Sequence, residues 1–280
     1  MKVSSFGAIV GATGFIGSKI ASYFASKGFK LLLIGRNSSE LDLLANNLIM
    51  QYGSQVDTLE IDFENLGKVD WGITLSECSF LINTVGLQPP IGAFIDVNLE
   101  EWEYNFKINL FSTSRITQIF AKHFSINGGG SIILFSGGGG STPRPFFSSY
   151  STSKAALVRF VETVSIELIQ HNIKINAIAP GVMPSRMMRE VLEYEQILGQ
   201  SEIISAKSSL GDYESDFTHI FELCNFLISP QSDGITGKLI SAKWDNWSNW
   251  SNFIDELSNT ELYTLRRITA RDKNLNWGDL

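Results

Sequence analysis

Short apolar runs alternate with longer amphipathic segments along most of the chain. The apolar runs predict strands near residues 7–11, 30–35, 56–61, 79–83, 131–136, 173–178 and 237–241. The amphipathic segments predict helices near residues 15–27, 38–51, 100–125, 149–170, 186–198 and 214–228. Continuously apolar strands that are separated by helices are typical of a parallel sheet covered on both faces. We therefore predict one α/β domain over residues 1–241, with a doubly wound parallel sheet of about seven strands.

The alternation stops near Ala242, and residues 242–280 form a C-terminal extension rich in tryptophan. Trp244, Trp247 and Trp250 recur at a three-residue interval. Two interpretations stay open. The indoles form either a hydrophobic seam against the domain or a partner subunit, or a wall that stacks on a sugar ring at the mouth of the site.

Composition and charge exclude several classes of function. The chain of 280 residues is 44% hydrophobic and carries a net charge of −7, which gives no support for binding to nucleic acid or anionic membranes. Two cysteines and three dispersed histidines provide neither a disulfide framework nor the spacing of a metal site. We expect a cytoplasmic protein without a metal, and no stretch is long and apolar enough for a membrane span.

A glycine-rich turn lies between the first predicted strand and the first predicted helix. In such a turn one glycine permits a tight bend, a second lets the backbone approach a pyrophosphate, and a third allows helix and strand to pack closely. The phosphates then lie at the helix N-terminus. The pattern predicts a Rossmann-type dinucleotide site formed by Gly11, Thr13, Gly14, Phe15, Ile16 and Gly17.

The end of the second strand indicates which dinucleotide is bound. An acidic residue there would bond the ribose 2′-hydroxyl of NAD, but the sequence continues with Arg36, Asn37 and Ser38. A guanidinium offers a planar charged fork for a phosphate, and the two polar side chains can add hydrogen bonds. We therefore predict NADP(H) in preference to NAD(H).

Tyr150 and Lys154 supply candidate chemistry, because residues four apart share one face of a helix. A tyrosine ionises near pH ~10, and a cation held beside it favours the phenolate. We therefore expect Lys154 to lower the pKa of Tyr150 towards the range of a general acid. Such an acid next to a hydride donor is suited to the reduction of a carbonyl group.

Four further segments complete a family pattern: Asn83–Gly86, the acidic position Asp62 with Phe63, Asn109, and the loop that begins Pro180–Gly181–Val182 and reaches Ser185. Together with the glycine turn and Tyr150/Lys154, the chain resembles the shorter branch of the short-chain dehydrogenases/reductases over about residues 5–241. The resemblance implies that Asn83, Thr84, Val85 and Gly86 lie beside the adenine ribose. It also implies that Asp62 contacts the adenine and that the loop covers the nicotinamide. Lys154 would bind the ribose, and Asn109 would hold a water that relays protons.

The chain departs from this pattern at three places. The family usually has a serine thirteen residues before the tyrosine, where this chain has Gly137. The substitute donor is Ser136, which we favour, or Ser141, or a backbone N–H of the glycine run 137–140. The first glycines are spaced as in the longer branch, and the last strand runs into the tryptophan-rich extension instead of the family's Asp-Gly-Gly.

Residues 183–215 are predicted to form a lid over the substrate, with Arg186 and Arg189 either holding an anionic group or pairing with glutamates. A sugar or polyol derivative and a 3-ketoacyl group both remain candidate substrates. The alternative function is a cofactor sensor or scaffold that has lost efficient catalysis, which Gly137 favours. The resemblance implies a homodimer or homotetramer.

Overall fold

The computed structural model describes residues 6–64, 66, 75–211, 217–275 and 277. Seven parallel strands form one sheet in the order β3-β2-β1-β4-β5-β6-β7. The prediction of a doubly wound parallel sheet is confirmed. The strands are β1 (Phe6–Val10), β2 (Lys30–Gly35), β3 (Val56–Glu60), β4 (Phe80–Asn83), β5 (Gly130–Phe135), β6 (Ile173–Ala179) and β7 (Leu239–Ser241).

Helices cover both faces of this sheet, and none within the described ranges is long and apolar enough to cross a membrane. They are α1 (Phe15–Ser26), α2 (Ser38–Tyr52), α3 (Leu99–Phe106), a π-helical segment (Lys107–Ser112), α4 (Thr113–Ile126), α5 (Ser148–Leu168), α6 (Arg186–Glu193), α7 (Gln200–Gly211), α8 (Thr218–Ile228) and α9 (Ile254–Asn259). The helix predicted over residues 186–198 is shorter in the structure, and the separate helix α7 follows it. The predicted helix start at residue 214 and the end of the lid, 212–215, lie outside the described residues.

Alternation along the strands divides the apolar side chains between two cores. Ile9, Leu33 and Ile82 belong to the core on one face, and Ala8 and Leu32 belong to the core on the other. All five are at most 2% exposed, because helices cover both faces of the sheet. The strands therefore form a rigid frame whose carboxyl ends lie along one edge.

The strand order reverses at β1, which pairs with β2 on one side and with β4 on the other. In open α/β sheets such a reversal leaves a crevice at the carboxyl ends of the strands, where ligands bind. The loops after Val10 and Asn83 flank this crevice. The fold thereby brings the glycine turn and the Asn83–Gly86 segment together.

The C-terminal extension packs on the domain. Trp250 is 4% exposed and belongs to the same core as Ile9, and the Nε1 of Trp247 donates to the Ala242 carbonyl at 3.0 Å. The backbone N–H of Leu239 in the edge strand β7 donates to the Tyr263 carbonyl at 2.8 Å. Trp244 differs from the other two indoles, because it is 69% exposed. The structure thus separates three tryptophans that the sequence treated as one group.

Candidate active site

A cavity of about 1040 Å³ lies at the carboxyl ends of β1, β2, β4, β5 and β6. Most residues that the sequence analysis assigned to a site line it: Gly11, Thr13, Gly14, Phe15, Ile16, Arg36, Asn37, Phe63, Thr84, Val85, Gly86, Ser136, Tyr150, Lys154, Pro180, Gly181, Val182 and Ser185. The glycine turn and the Tyr150–Lys154 pair are far apart in the sequence and share this one cavity.

Five of the predicted residues are outside the lining: Gly17, Ser38, Asp62, Asn83 and Asn109. Asn83 supports the wall from behind, since its Oδ1 accepts a hydrogen bond from the Val85 N–H at 3.0 Å. The Oδ1 of Asp62 accepts from the Glu64 N–H at 2.9 Å, which fixes the turn next to Phe63. Asn83 and Asp62 thus hold the backbone of the segments that carry Val85 and Phe63 in the lining.

The glycine turn has the geometry of a phosphate cradle. Gly11 adopts φ +75°, a left-handed conformation that favours glycine, and the N–H of Gly14 donates to the Gly11 carbonyl at 2.9 Å. A Cβ on Gly17 would lie 2.2 Å from that same carbonyl oxygen, so only glycine lets α1 begin this close to the turn. The first N–H groups of α1 have no partners within the helix, and the N-terminus of the helix faces the cavity. This cradle fits a dinucleotide pyrophosphate.

The end of β2 presents both a cation and an acid to the cavity. Arg36 is exposed, and the Oδ1 of Asn37 caps α2 by accepting from the Glu40 N–H at 3.2 Å. Glu40 itself lines the cavity, which the sequence analysis did not predict. The one sequence signal for the position of Glu40 is the N-cap residue Asn37, three residues earlier.

Tyr150 and Lys154 are both buried in α5, at 7% and 2% exposure. The Lys154 Nζ donates to the Phe135 carbonyl at 2.8 Å and lies 5.9 Å from the centre of the Tyr150 ring. Burial lowers the pKa of Lys154 to about 8, because an amine removed from water holds its charge less readily. The lysine therefore has a proton that can be exchanged near neutral pH.

The electrostatics of Tyr150 differ from the sequence expectation. Burial raises the pKa of Tyr150, and the group that opposes this rise is the Arg144 guanidinium instead of Lys154. The guanidinium carbon of Arg144 lies 5.9 Å from the Tyr150 ring centre. The expectation that Lys154 lowers the tyrosine pKa is corrected in this respect. Arg144 follows the glycine run in a loop, where no helical spacing pointed to it.

Gly137 and Ser136 face different surroundings. A Cβ on Gly137 would lie 2.5 Å from the Tyr150 hydroxyl oxygen, so this position points at the phenol. Ser136 is 5% exposed and lines the cavity, yet its Oγ is turned towards Gly140, whose Cβ position is 2.5 Å away. Among the described residues, this Oγ is one of the buried polar atoms without a hydrogen-bond partner. Ser141 is exposed and does not line the cavity.

Asn109 is fully buried in the π-helical segment. Its Oδ1 accepts from the Leu87 N–H at 2.7 Å, and its Nδ2 donates to the Leu87 carbonyl at 2.8 Å. The same Nδ2 lies 2.7 Å from the Asn105 Oδ1 and 3.0 Å from the Ser153 Oγ. The side chain thereby ties the loop after β4 to α5, one residue from Lys154.

The segment predicted as a lid contributes both apolar and polar side chains to the cavity wall. Met183, Met187, Met188, Ser201, Glu202 and Ser205 line the cavity from this side. Arg186 also lines the cavity, and it is 63% exposed while it pairs at 3.1 Å with Glu190, whose side chain is 16% exposed. Trp244 lines the cavity from the C-terminal extension.

A comparison with protein families matches residues 7–196 to the family described as short chain dehydrogenase. A curated relative, the very-long-chain 3-oxoacyl-CoA reductase of Podospora anserina, is 28% identical over 230 residues. That match covers 79% of this chain, which spans 66% of the relative's length.

Two solved structures share the fold. NAD+-bound xylitol dehydrogenase is 23% identical with a TM-score of 0.76, and the match covers 86% of this chain and 98% of the other. A single-residue variant of actinorhodin polyketide ketoreductase with NADPH is 24% identical with a TM-score of 0.75, covering 85% and 95%. Each of these structures contains a nicotinamide dinucleotide.

Proposed function

Because this chain belongs to the short-chain dehydrogenase/reductase family, we propose that it uses NADP(H) to reduce a carbonyl group to a secondary alcohol, or runs the reverse reaction. Family membership makes it an oxidoreductase of CH–OH and C=O groups. The observation that carries the proposal is that the glycine turn and the buried Tyr150 line one cavity. Cofactor and acid can therefore meet the same substrate carbonyl.

Tyr150 is the proposed general acid, and its hydroxyl protonates the carbonyl oxygen during reduction. The nicotinamide, when bound, supplies the hydride. Lys154 is proposed to bind the nicotinamide ribose. Its pKa of about 8 supports a second task, the return of a proton towards Tyr150 after each turnover. Asn109 is proposed to support this relay, since its contacts hold the loop after β4 against α5.

Ser136 is the proposed second hydrogen-bond donor to the carbonyl oxygen, a role that requires its Oγ to rotate from Gly140 towards the cavity. The support is that its buried Oγ lacks a partner and that the residue lines the cavity, because a buried hydroxyl without a partner is costly unless it serves a ligand. The backbone N–H groups of Gly138 and Gly139 are the alternative donors, as both residues line the same wall.

The proposed preference for NADP(H) rests on Arg36, with Asn37 and Ser38 at the start of α2. Arg36 is exposed at the cavity rim and can form charge-assisted bonds to a ribose 2′-phosphate. Glu40 lies in the same part of the lining and would repel that phosphate. We propose that the attraction of the 2′-phosphate by Arg36 outweighs its repulsion by Glu40.

Two substrate classes are proposed, a 3-ketoacyl group and a sugar or polyol. The methionines Met183, Met187 and Met188 favour an acyl chain, and the Podospora anserina relative is named for 3-oxoacyl-CoA. The polar residues of the lid wall and the exposed Trp244 favour a polyhydroxylated ring.

The test follows NADPH absorbance with purified protein and a panel of 3-ketoacyl thioesters, ketosugars and simple ketones. We expect turnover in one class, and Tyr150→Phe should abolish it while NADPH still binds. A Phe variant that retains most of the activity would remove Tyr150 as the acid. Tight NADPH binding without turnover of any carbonyl would instead favour a cofactor sensor, the function that the missing hydroxyl at Gly137 supports.

A further inference from the structure

Arg144, in the loop between the glycine run and α5, forms hydrogen bonds to two side chains and packs on an aromatic ring. Its Nε donates to the Glu202 Oε1 at 2.8 Å and its Nη2 donates to the Oε2 at 2.7 Å, a bidentate pair with the lid helix α7. Its Nη1 donates to the Gln88 Oε1 at 3.1 Å. The guanidinium also lies 3.6 Å above the Phe147 ring centre. Only 16% of the side chain is exposed, so these contacts are largely shielded from water.

Gln88 extends this set of contacts to the other lid helix. It is 1% exposed, and its Nε2 donates to the Met187 carbonyl in α6 at 2.9 Å. One chain of hydrogen bonds therefore runs from α7 through Arg144 and Gln88 to α6. Through these bonds both α6 and α7 are attached to the loop that leads into α5.

The same guanidinium lies next to the proposed acid. Arg144 in the loop and Lys154 in the next turn of α5 each lie 5.9 Å from the centre of the Tyr150 ring. Behind Arg144 lies the carboxylate of Glu202 in α7. On α6, Arg186 and Glu190 neutralise each other at 3.1 Å, and β5 leads to Gly137, which carries no charge.

We propose that Arg144 is a positioning residue that latches the lid through Glu202 and Gln88 and keeps a positive charge beside the Tyr150 phenol. The second part of this proposal rests on the proposed function, and the first does not. When the lid is closed, the positive charge of Arg144 is therefore held at a fixed position beside the Tyr150 phenol. Removing either end of the latch opens the lid, but the two removals change the charge near Tyr150 in opposite directions.

Four variants separate these effects. Arg144→Met keeps an apolar stem and loses both fork and charge, whereas Arg144→Lys keeps the charge and loses the fork. Glu202→Gln removes the negative charge of the carboxylate and leaves Arg144 in place. The matched control is Lys207→Met, which breaks another ion pair of α7, the 2.9 Å bond to Glu195 at the exposed surface.

Hydrogen exchange of the α7 amides tests the latch without any substrate. Charge-assisted bidentate bonds contribute enough that we expect exchange to become at least about tenfold faster in Arg144→Met and Glu202→Gln. Arg144→Lys should show a smaller increase, and Lys207→Met should match the wild type. Exchange in Arg144→Met equal to that of the wild type would overturn the latch.

The pH profile of reduction tests the second part, with the carbonyl compound turned over fastest in the panel. Reduction needs protonated Tyr150, so activity falls as the pH rises through the pKa of this group. Loss of the cation in Arg144→Met should move this limb to higher pH, and Glu202→Gln should move it to lower pH. Arg144→Lys should restore the wild-type position of the limb, because it keeps the positive charge.

The outcomes are distinguishable. Limbs that coincide in Arg144→Met and Glu202→Gln would overturn the coupling to Tyr150 and leave the latch standing if exchange changed. Faster exchange in the two variants, together with no turnover by any protein, supports the latch and contradicts the proposed function. Identical folded fractions in thermal unfolding establish that the variants are compared as folded proteins.

Discussion

Replacing Gly137 by serine, the residue common at this position in the family, is expected to lower turnover instead of improving it. The backbone does not oppose the change, because Gly137 has φ −177° and ψ 177°, an extended conformation open to any residue. The obstacle is steric. A Cβ at this position lies 2.5 Å from the Tyr150 hydroxyl oxygen, whereas ordinary contacts begin near 3.4 Å.

The required displacement sets the magnitude. The difference between 3.4 and 2.5 Å means that the phenol must retreat by about 0.9 Å, and its ring is buried at 7% exposure. A misplacement of ~1 Å at a reacting group can cost roughly a hundredfold in rate. We therefore expect kcat to fall by about two orders of magnitude in Gly137→Ser, with NADPH binding largely kept.

The assay compares kcat for the fastest carbonyl substrate in Gly137→Ser, Gly137→Ala and Gly138→Ala. The two changes at position 137 should lose similar amounts, since both add the Cβ. Gly138→Ala should lose at least about tenfold less, because a Cβ there meets nothing within 4 Å. The reasoning is refuted if Gly137→Ser equals or exceeds the wild type while Gly137→Ala is impaired, since the added hydroxyl would then assist catalysis.

Three further predictions concern the cofactor rim, the buried amine and the tryptophans. Arg36→Gln should weaken NADPH binding by about 10- to 100-fold and change NADH binding little, as measured by fluorescence titration. Burial lowers the pKa of Lys154 from 10.5 to about 8, which corresponds to a free-energy difference of about 3 kcal/mol between its two protonation states. The folded state therefore binds fewer protons between these pH values, so the unfolding free energy of the wild type, relative to Lys154→Met, should rise by up to that amount from pH 8 to 10.5. Trp250→Ala should lower the unfolding free energy by about 3–5 kcal/mol, whereas Trp244→Ala should change it by less than ~0.5 kcal/mol and alter KM.

Each of these predictions has a result that contradicts it. Equal losses for both dinucleotides in Arg36→Gln would remove the 2′-phosphate contact. A stability difference between wild type and Lys154→Met that is constant or decreases with pH would contradict the lowered pKa of the amine. A large stability loss in Trp244→Ala would place that exposed indole in the core with Trp250.

The lid marks where sequence-based prediction of the fold failed. Residues 200–211 include four serines and lack a clear apolar stripe, so no helix was predicted where α7 lies. The sequence pattern also predicts that the preceding helix continues to residue 198, although α6 ends at Glu193. Short helices with weak patterns are stabilised by what they contact, and here those contacts include the Arg144–Glu202 pair and the burial of Ala206.

Local sequence patterns were sufficient to predict the sheet, the glycine cradle and the Tyr150–Lys154 pair. Each of these depends on spacing within a few residues: apolar runs, a turn that needs glycine, and two side chains one helical turn apart. The folded chain was needed to show that the Arg144 cation opposes the rise in the pKa of Tyr150 and that the Ser136 Oγ faces Gly140. It was also needed to show that Trp250 is buried while Trp244 lines the cavity. The physical reason is distance along the chain. Arg144 meets Glu202 across 58 positions and Gln88 across 56, and no local pattern records which remote segments will meet.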